Sequence, residues 1–339
     1  MSNALAPGIA RRRDAGRRLT SLEICAGVGG LALGLEMAGF DPVLLIEELP
    51  IACETLRKNR PSWDVREMDI RDFDPTDAPQ VFGVDLLSAG LPRLKATAAN
   101  ARARGAESEV DLMRTTLRLT SEVRPRCVLI DNVPDLVSSK TYFPLRDYIR
   151  HGLEDMGYRC NFLILNAADF NLAQDRKHGF VVGLDSVAAN RFLPPLPASN
   201  PRTTVGEVLA ESMRSSGWPD ADSWAHQARI LAPTIVGGSW ERGGADLGPT
   251  GTKRAWARIG VDGGTVSDAV PRSDFAWMPR KGRQGMVRLT VEQTAILQGF
   301  PDDWHVAGRK TARYRQIANA VPPPLAYALG LSISSSMRF

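Results

Sequence analysis

The run Leu22-Glu23-Ile24-Cys25-Ala26-Gly27-Val28-Gly29-Gly30 constrains the fold of this chain more than any other stretch. Apolar residues of strand character lead directly into a glycine-rich turn, and a helical pattern begins at Leu31. Glycines there let the backbone turn sharply and bring amide groups to a helix N-terminus, where a ligand can approach them. Taken alone, the turn has a purely steric reading as well. The pattern that follows gives it a context. Apolar stretches at 22–25, 43–47, 86–88, 127–130, 162–165 and 179–182 read as buried strands. Between them, 31–38, 51–59, 110–123 and 143–156 read as helices. This alternation predicts an α/β fold, with a largely parallel sheet covered on both faces.

The alternation stops at Pro194-Pro195-Leu196-Pro197. Residues 198–285 are rich in Gly, Ser and Trp, show little periodicity, and carry the glycine pairs 237–238, 243–244 and 263–264 that mark loops. Order is expected again at Val287-Arg288-Leu289, then in a helix over 290–297 and a last helix from about 313 to near the C-terminus. The organisation read from this is a basic arm at 1–18, a large domain from 19–195 plus 305–339, and a smaller irregular domain with a hinge at 196–304. A hydrophobic share of 43% with 24% charged residues excludes global disorder. The net charge of +4 permits a nucleic-acid partner without requiring one. Four widely spaced cysteines without a CxxC pair argue against a metal site and for reduced thiols in a cytoplasmic protein. Arg11, Arg12, Arg13, Arg17 and Arg18 lack a following apolar core, so they are no secretory signal. They read as a solvated arm or as phosphate contacts. No membrane-spanning segment is expected.

The second strand ends in Glu47, as a ribose-binding carboxylate should, and Asp69 follows the third. Acids at strand ends also serve as helix caps. In this order, after the glycine turn, they favour a nucleoside ligand. Together with Tyr314-Arg315-Gln316-Ile317-Ala318-Asn319-Ala320-Val321-Pro322-Pro323-Pro324, these segments resemble the motifs of the cytosine-C5 DNA methyltransferases, the Dcm-like family. The resemblance runs from about residue 20 to 330. It implies a Rossmann-like, S-adenosylmethionine-dependent sheet domain and a smaller target-recognition domain. It assigns Cys25, Ala26, Gly27, Gly29, Gly30, Glu47, Asp69 and Asn319 to the S-adenosylmethionine site. Cys25 stands where the family commonly stacks an aromatic ring, and Ala318 where it has glycine.

The same resemblance locates the chemistry. In the family a thiolate adds to C6 of a flipped-out cytosine, a carboxylic acid protonates N3, and an arginine holds O2. Asp85-Leu86-Leu87-Ser88-Ala89-Gly90-Leu91-Pro92-Arg93 matches the nucleophile motif, with Arg93 where the cysteine belongs. The following Leu94-Lys95-Ala96-Thr97 departs too. Asp131-Asn132-Val133 matches Glu-Asn-Val with an acid one methylene shorter. Gln174-Asp175-Arg176-Lys177-His178 matches Gln-x-Arg-x-Arg with His178 for the second arginine. A guanidinium is always charged and offers no nucleophilic lone pair. Cys127 lies in an expected buried strand, Cys25 and Cys53 in the cofactor half, and Cys160 at a strand start, so none is an obvious substitute.

Pro233-Thr234-Ile235-Val236-Gly237-Gly238-Ser239 resembles the signature of the recognition domain. Thr234, Arg242, Lys253 and Arg254, with Arg258, Trp240 and Trp256 nearby, are the DNA-contact candidates; Trp224 and Trp277 read as core. The segment from Leu297 to Trp304 matches the family's hinge. Three functions follow from the resemblance. The first is a homologue that binds double-stranded DNA and S-adenosylmethionine but is silent alone, an accessory subunit for an active methyltransferase paralogue in a DNA methylation or restriction-modification system at the nucleoid. The others are an active enzyme with altered catalytic groups, and a DNA-binding module without cofactor.

Overall fold

The computed structural model describes residues 18–94, 106–200, 202–237, 244–278, 280 and 282–338. Arg11, Arg12, Arg13, Arg17, Lys95, Ala96, Thr97, Gly238, Ser239, Trp240, Arg242 and Gly243 lie outside the described residues. From the N-terminus, β1 (Leu19–Ile24) enters the glycine turn and α1 (Gly30–Met37) leaves it. Then come β2 (Phe40–Glu47), α2 (Pro50–Asn59), β3 (Val65–Glu67), β4 (Leu86–Gly90), α3 (Ala106–Val123), β5 (Cys127–Asn132), α4 (Pro134–Ser138), α5 (Phe143–Asp155), β6 (Arg159–Asn166), β7 (Lys177–Leu184) and α6 (Ser186–Ala189).

These strands form one sheet in the order β3-β2-β1-β4-β5-β7-β6. From β1 the chain first builds outward through β2 and β3, then returns to place β4 on the other side of β1. Helices therefore leave β1 and β4 in opposite senses, and a crevice opens beyond their C-terminal ends. β7 runs antiparallel to both neighbours, so the expected parallel sheet has one reversed strand. The reason is the short link between β6 and β7, which is too short for the crossover that a parallel pair needs. One face of the sheet packs Met113 and Leu117 of α3 and Ile149 and Leu153 of α5. The other packs α1 against the C-terminal helix through Leu31, Leu35, Leu325 and Leu329.

Among its described residues, the region expected to be loop-rich holds three α-helices: α7 (Val205–Arg214), α8 (Ala221–Gln227) and α9 (Thr250–Arg258). Thr204 and Glu207 form a capping box on α7, a start signal present in the sequence. These helices are organised by Trp224 and Trp256, both fully buried, in a core continuous with Val28, Leu56, Phe300 and Tyr314. After α10 (Val291–Leu297), the expected single last helix is two, α11 (Lys310–Asn319) and α12 (Pro323–Met337). Ala320 is extended, and prolines at 322, 323 and 324 cannot continue the backbone ladder of α11. The break lets α11 face the crevice while α12 lies under the sheet.

Candidate functional site

At the crevice beyond β1 and β4 lies a cleft of about 640 Å³. One end is formed by Cys25, Ala26, Gly27, Gly30, Glu47 and Asp69; the other by Arg93, Leu94 and Asp131; Val236, Asn319 and Val321 also line it. The glycine turn makes the first end possible. Gly27 and Gly29 have φ of 56° and 87°, and Gly29 is the N-cap of α1. A Cβ on Gly30 would stand 2.2 Å from the Val321 carbonyl oxygen, so α1 can begin here only against the segment after α11. Behind the turn, the Trp304 indole donates to the Val28 carbonyl at 3.1 Å.

Both acids of this end already have partners. The Glu47 carboxylate accepts from the amides of Gly27 at 2.7 Å and Leu49 at 2.9 Å, joining the end of β2 to the turn. Burial raises its pKa above the usual carboxylate range, against those two amide bonds. Asp69 accepts from the amide and the guanidinium of Arg71, and the guanidinium bond holds its pKa below the usual range. The thiol of Cys25 sits in the same wall. Burial, followed by the Glu47 charge, pushes its pKa far up and keeps it protonated.

At the other end, Asn132 fixes the loop that carries Arg93. Its Oδ1 accepts from the amides of Leu94 at 3.0 Å and Val133 at 2.9 Å, and its Nδ2 donates to the Pro92 carbonyl at 3.1 Å. Arg93 is exposed at the cleft and has no ion pair within 4.0 Å among the described residues. Asp131, beside it in the wall, is held from behind by a buried chain of groups. The Arg176 Nε donates to His178 Nε2 at 2.9 Å, and His178 Nδ1 lies 2.7 Å from Asp131 Oδ1. A guanidinium can only donate, so His178 Nε2 is the acceptor and the ring proton is on Nδ1, directed at Asp131. His178 is thus a neutral donor; burial pushes its pKa down, against the pull of Asp131. Asp131 Oδ2 has no hydrogen-bond partner among the described residues.

Of the three positions expected to meet the base, the structure brings Arg93 and Asp131 to the cleft wall and sets His178 behind them, next to Arg176, the other candidate of its motif. Arg176 is 0% exposed. Besides His178 it donates to the carbonyls of Ile235 at 2.8 Å, Ala318 at 2.9 Å and Ala320 at 3.1 Å, which uses four of its five N–H groups. Gln174 works beside it: its Oε1 accepts from the Ile235 amide, and its Nε2 donates to Leu297 O and Gln298 Oε1. Tyr314 donates to the Val236 carbonyl at 3.0 Å, and Thr234 donates to the Asp175 carbonyl at 2.7 Å. The 234–237 segment is thereby locked against α11 and the start of β7. Sequence reasoning named these residues but not this junction, because its acceptors are backbone carbonyls, which no motif displays.

The C-5 cytosine-specific DNA methylase model matches residues 19–335. The chain belongs to the C-5 cytosine-specific DNA methylase family. It is 39% identical over 329 residues to the Type II methyltransferase M.NgoMIV of Neisseria gonorrhoeae, covering 95% of this chain and 99% of that protein. It is 41% identical over 321 residues to the Type II methyltransferase M.NaeI of Lentzea aerocolonigenes, covering 94% and 76%. Among solved structures, the S. pombe Dnmt2 methyltransferase superposes with a TM-score of 0.64 at 17% identity over 95% of this chain and 100% of that one, a likeness of fold.

For a member of this family, the face expected to meet DNA is uneven. Arg254 and Arg258 are exposed on α9, whereas Lys253 is paired with Asp246 at 3.1 Å. Trp256, expected among the DNA contacts, is 0% exposed and belongs to the core, because the apolar side of α9 turns it inward. Trp224 is core as expected, and Trp277 packs edge-on against Trp218. Among the described residues no cluster of three or more metal-ligating side chains occurs, and no helix is long and apolar enough to cross a membrane.

Proposed function

We propose that this chain binds double-stranded DNA and S-adenosylmethionine but does not transfer methyl groups by sulfur attack, and that it serves a restriction-modification or DNA methylation system as an accessory subunit beside an active paralogue. The observation that carries this reading is the cleft itself. Where the family places a reactive thiolate beside its acid, this cleft presents the guanidinium of Arg93 beside Asp131. Among the described residues the one thiol lining the cleft is Cys25, at the opposite end and held protonated. Cys53 donates to the Glu47 carbonyl, Cys127 is buried in β5, and Cys160 lies on the edge strand β6. An absent nucleophile costs orders of magnitude in rate.

The other end fits the cofactor. Gly27, with nothing within 4 Å of where a Cβ would stand, leaves room at the turn, Gly29 and Gly30 seat the start of α1 against Trp304 and Val321, and the paired carboxylates Glu47 and Asp69 line the wall where ribose hydroxyls and an adenine amino group would be met. Cys25, Ala26 and Asn319 complete that wall. When bound, S-adenosylmethionine supplies an electrophilic methyl on sulfur. Glu47 binds and orients, and Asp69 exchanges part of its Arg71 contact for the ligand. For DNA we assign phosphate contacts to Arg254 with Arg258, and to Lys253 once it leaves Asp246. Thr234 holds the recognition segment through Asp175, and Arg242 keeps the role that the family resemblance gives it. The named relatives are Type II methyltransferases, which supports the restriction-modification setting, and with it the nucleoid as the place of action.

The intact cofactor end also favours a second reading, an enzyme that transfers methyl by other groups. One assay separates the two: purified chain, labelled S-adenosylmethionine and genomic DNA, with calorimetry for the cofactor. The proposal expects cofactor and DNA binding without label in DNA. Label transferred by the chain alone would overturn it.

A further inference from the structure

We infer that Arg93 and Asp131 hold an extrahelical cytosine by hydrogen bonds alone, and that this pocket takes 5-methylcytosine as readily as cytosine. The inference rests on the reading above, a DNA-binding chain without sulfur chemistry. His178 directs its single ring proton at Asp131 Oδ1, and Arg93 lines the cleft together with the same carboxylate. With Oδ1 taken by His178, Oδ2 is the acceptor that Asp131 has left to offer. Arg93 offers only donors, in a planar fork, and Asn132 holds its loop in the cleft wall.

An acceptor next to a donor fork complements the amino–imino edge of cytosine. The 4-amino group donates to Asp131 Oδ2, while N3 and O2 accept from the Arg93 guanidinium. Nothing in that arrangement addresses C5. C5 lies off the edge that these two residues grip, so a methyl there breaks none of their hydrogen bonds. A pocket built to react at C5 separates substrate from product; a pocket that only grips the opposite edge does not. Thymine offers a carbonyl where cytosine offers the amine, and at Asp131 Oδ2 acceptor meets acceptor.

The test uses the full chain. A tight-binding duplex is selected from a random pool, and each cytosine of the recovered site is replaced in turn by 5-methylcytosine, thymine, 5-fluorocytosine or an abasic residue. Affinities are read by fluorescence anisotropy at one salt concentration for the native protein, Arg93→Ala and Arg93→Lys. At one position, 5-methylcytosine is expected to bind within about twofold of cytosine and thymine about tenfold or more weaker. Arg93→Ala loses about tenfold or more on both cytosine duplexes and nothing on the abasic one, and Arg93→Lys, which keeps the charge but not the fork, falls with it. An equal loss on all duplexes makes Arg93 a phosphate contact and overturns the inference, as does no loss at all, or a tenfold penalty for the 5-methyl group. Failure to bind any duplex, or a covalent adduct with 5-fluorocytosine DNA, overturns instead the function on which it rests.

Discussion

Replacing Glu23 by Gln is expected to stabilise this protein at and above neutral pH while changing little in acid. Glu23 lies one residue from the C-terminal end of β1, 2% exposed, two residues before the cleft residue Cys25. Its carboxylate accepts from Ser21 at 2.7 Å and from Ser88 on β4. Those bonds favour the charged form, but burial outweighs them and raises the pKa from 4.5 to about 7. The folded state therefore holds its proton over a range where the unfolded chain has already lost it. Folding stability falls as pH rises from 4.5 to 7 and stays reduced above that. With 1.36 kcal/mol for each pKa unit, the loss at Glu23 amounts to about 3 kcal/mol. Gln does not titrate, so this part of the pH dependence disappears. Urea unfolding of both proteins at several pH values between 4 and 8.5 should show similar slopes and a stability gap that opens through pH 4.5–7 and then levels. A constant offset from altered hydroxyl bonding does not imitate that shape. Parallel stability curves would refute the burial argument.

Three further outcomes follow from the geometry. Asn132→Ala leaves the buried Leu94 amide without its acceptor and should cost about 1–3 kcal/mol in urea unfolding; unchanged stability would mean the loop finds another acceptor. Arg176→Met removes a buried guanidinium from three carbonyls and His178, and should lower stability by about 3–5 kcal/mol or abolish soluble expression. A neutral result there would show that the junction is not needed to join the 234–237 segment to α11. Arg93→Cys alone should fail to reach the methyl-transfer rate of an active family member, since Asp131 and the buried His178 are unchanged; a full rate in the labelled-methyl assay would contradict this.

The elements of the cofactor end were legible because each rests on local chemistry. A glycine turn with φ above zero, a glutamate closing a strand and an aspartate capping the next turn declare themselves in neighbouring residues. The two faces of the sheet followed from apolar strands alternating with amphipathic helices. Less was legible between 198 and 285. There the helices are short, and the tryptophans that organise them are brought together by long-range packing that has no period. Trp256 illustrates this: set among arginines in the chain it resembles a DNA contact, and in the fold it is core.

From the order of its motifs alone, the sequence determined the family, the α/β class, the glycine turn between the first strand and helix, and the presence of Arg93 where the resembling motif has a thiol. Those properties depend on residue identity and on neighbours in the chain. The tertiary structure decided what the exchanged groups do. It closed Arg176, His178 and Asp131 into one buried chain, and with it set the ring proton of His178. It also joined the 234–237 segment to α11 through backbone carbonyls. Asp131 stands 47 residues from His178 in sequence, and only the folded chain brings the two within 3 Å of one another.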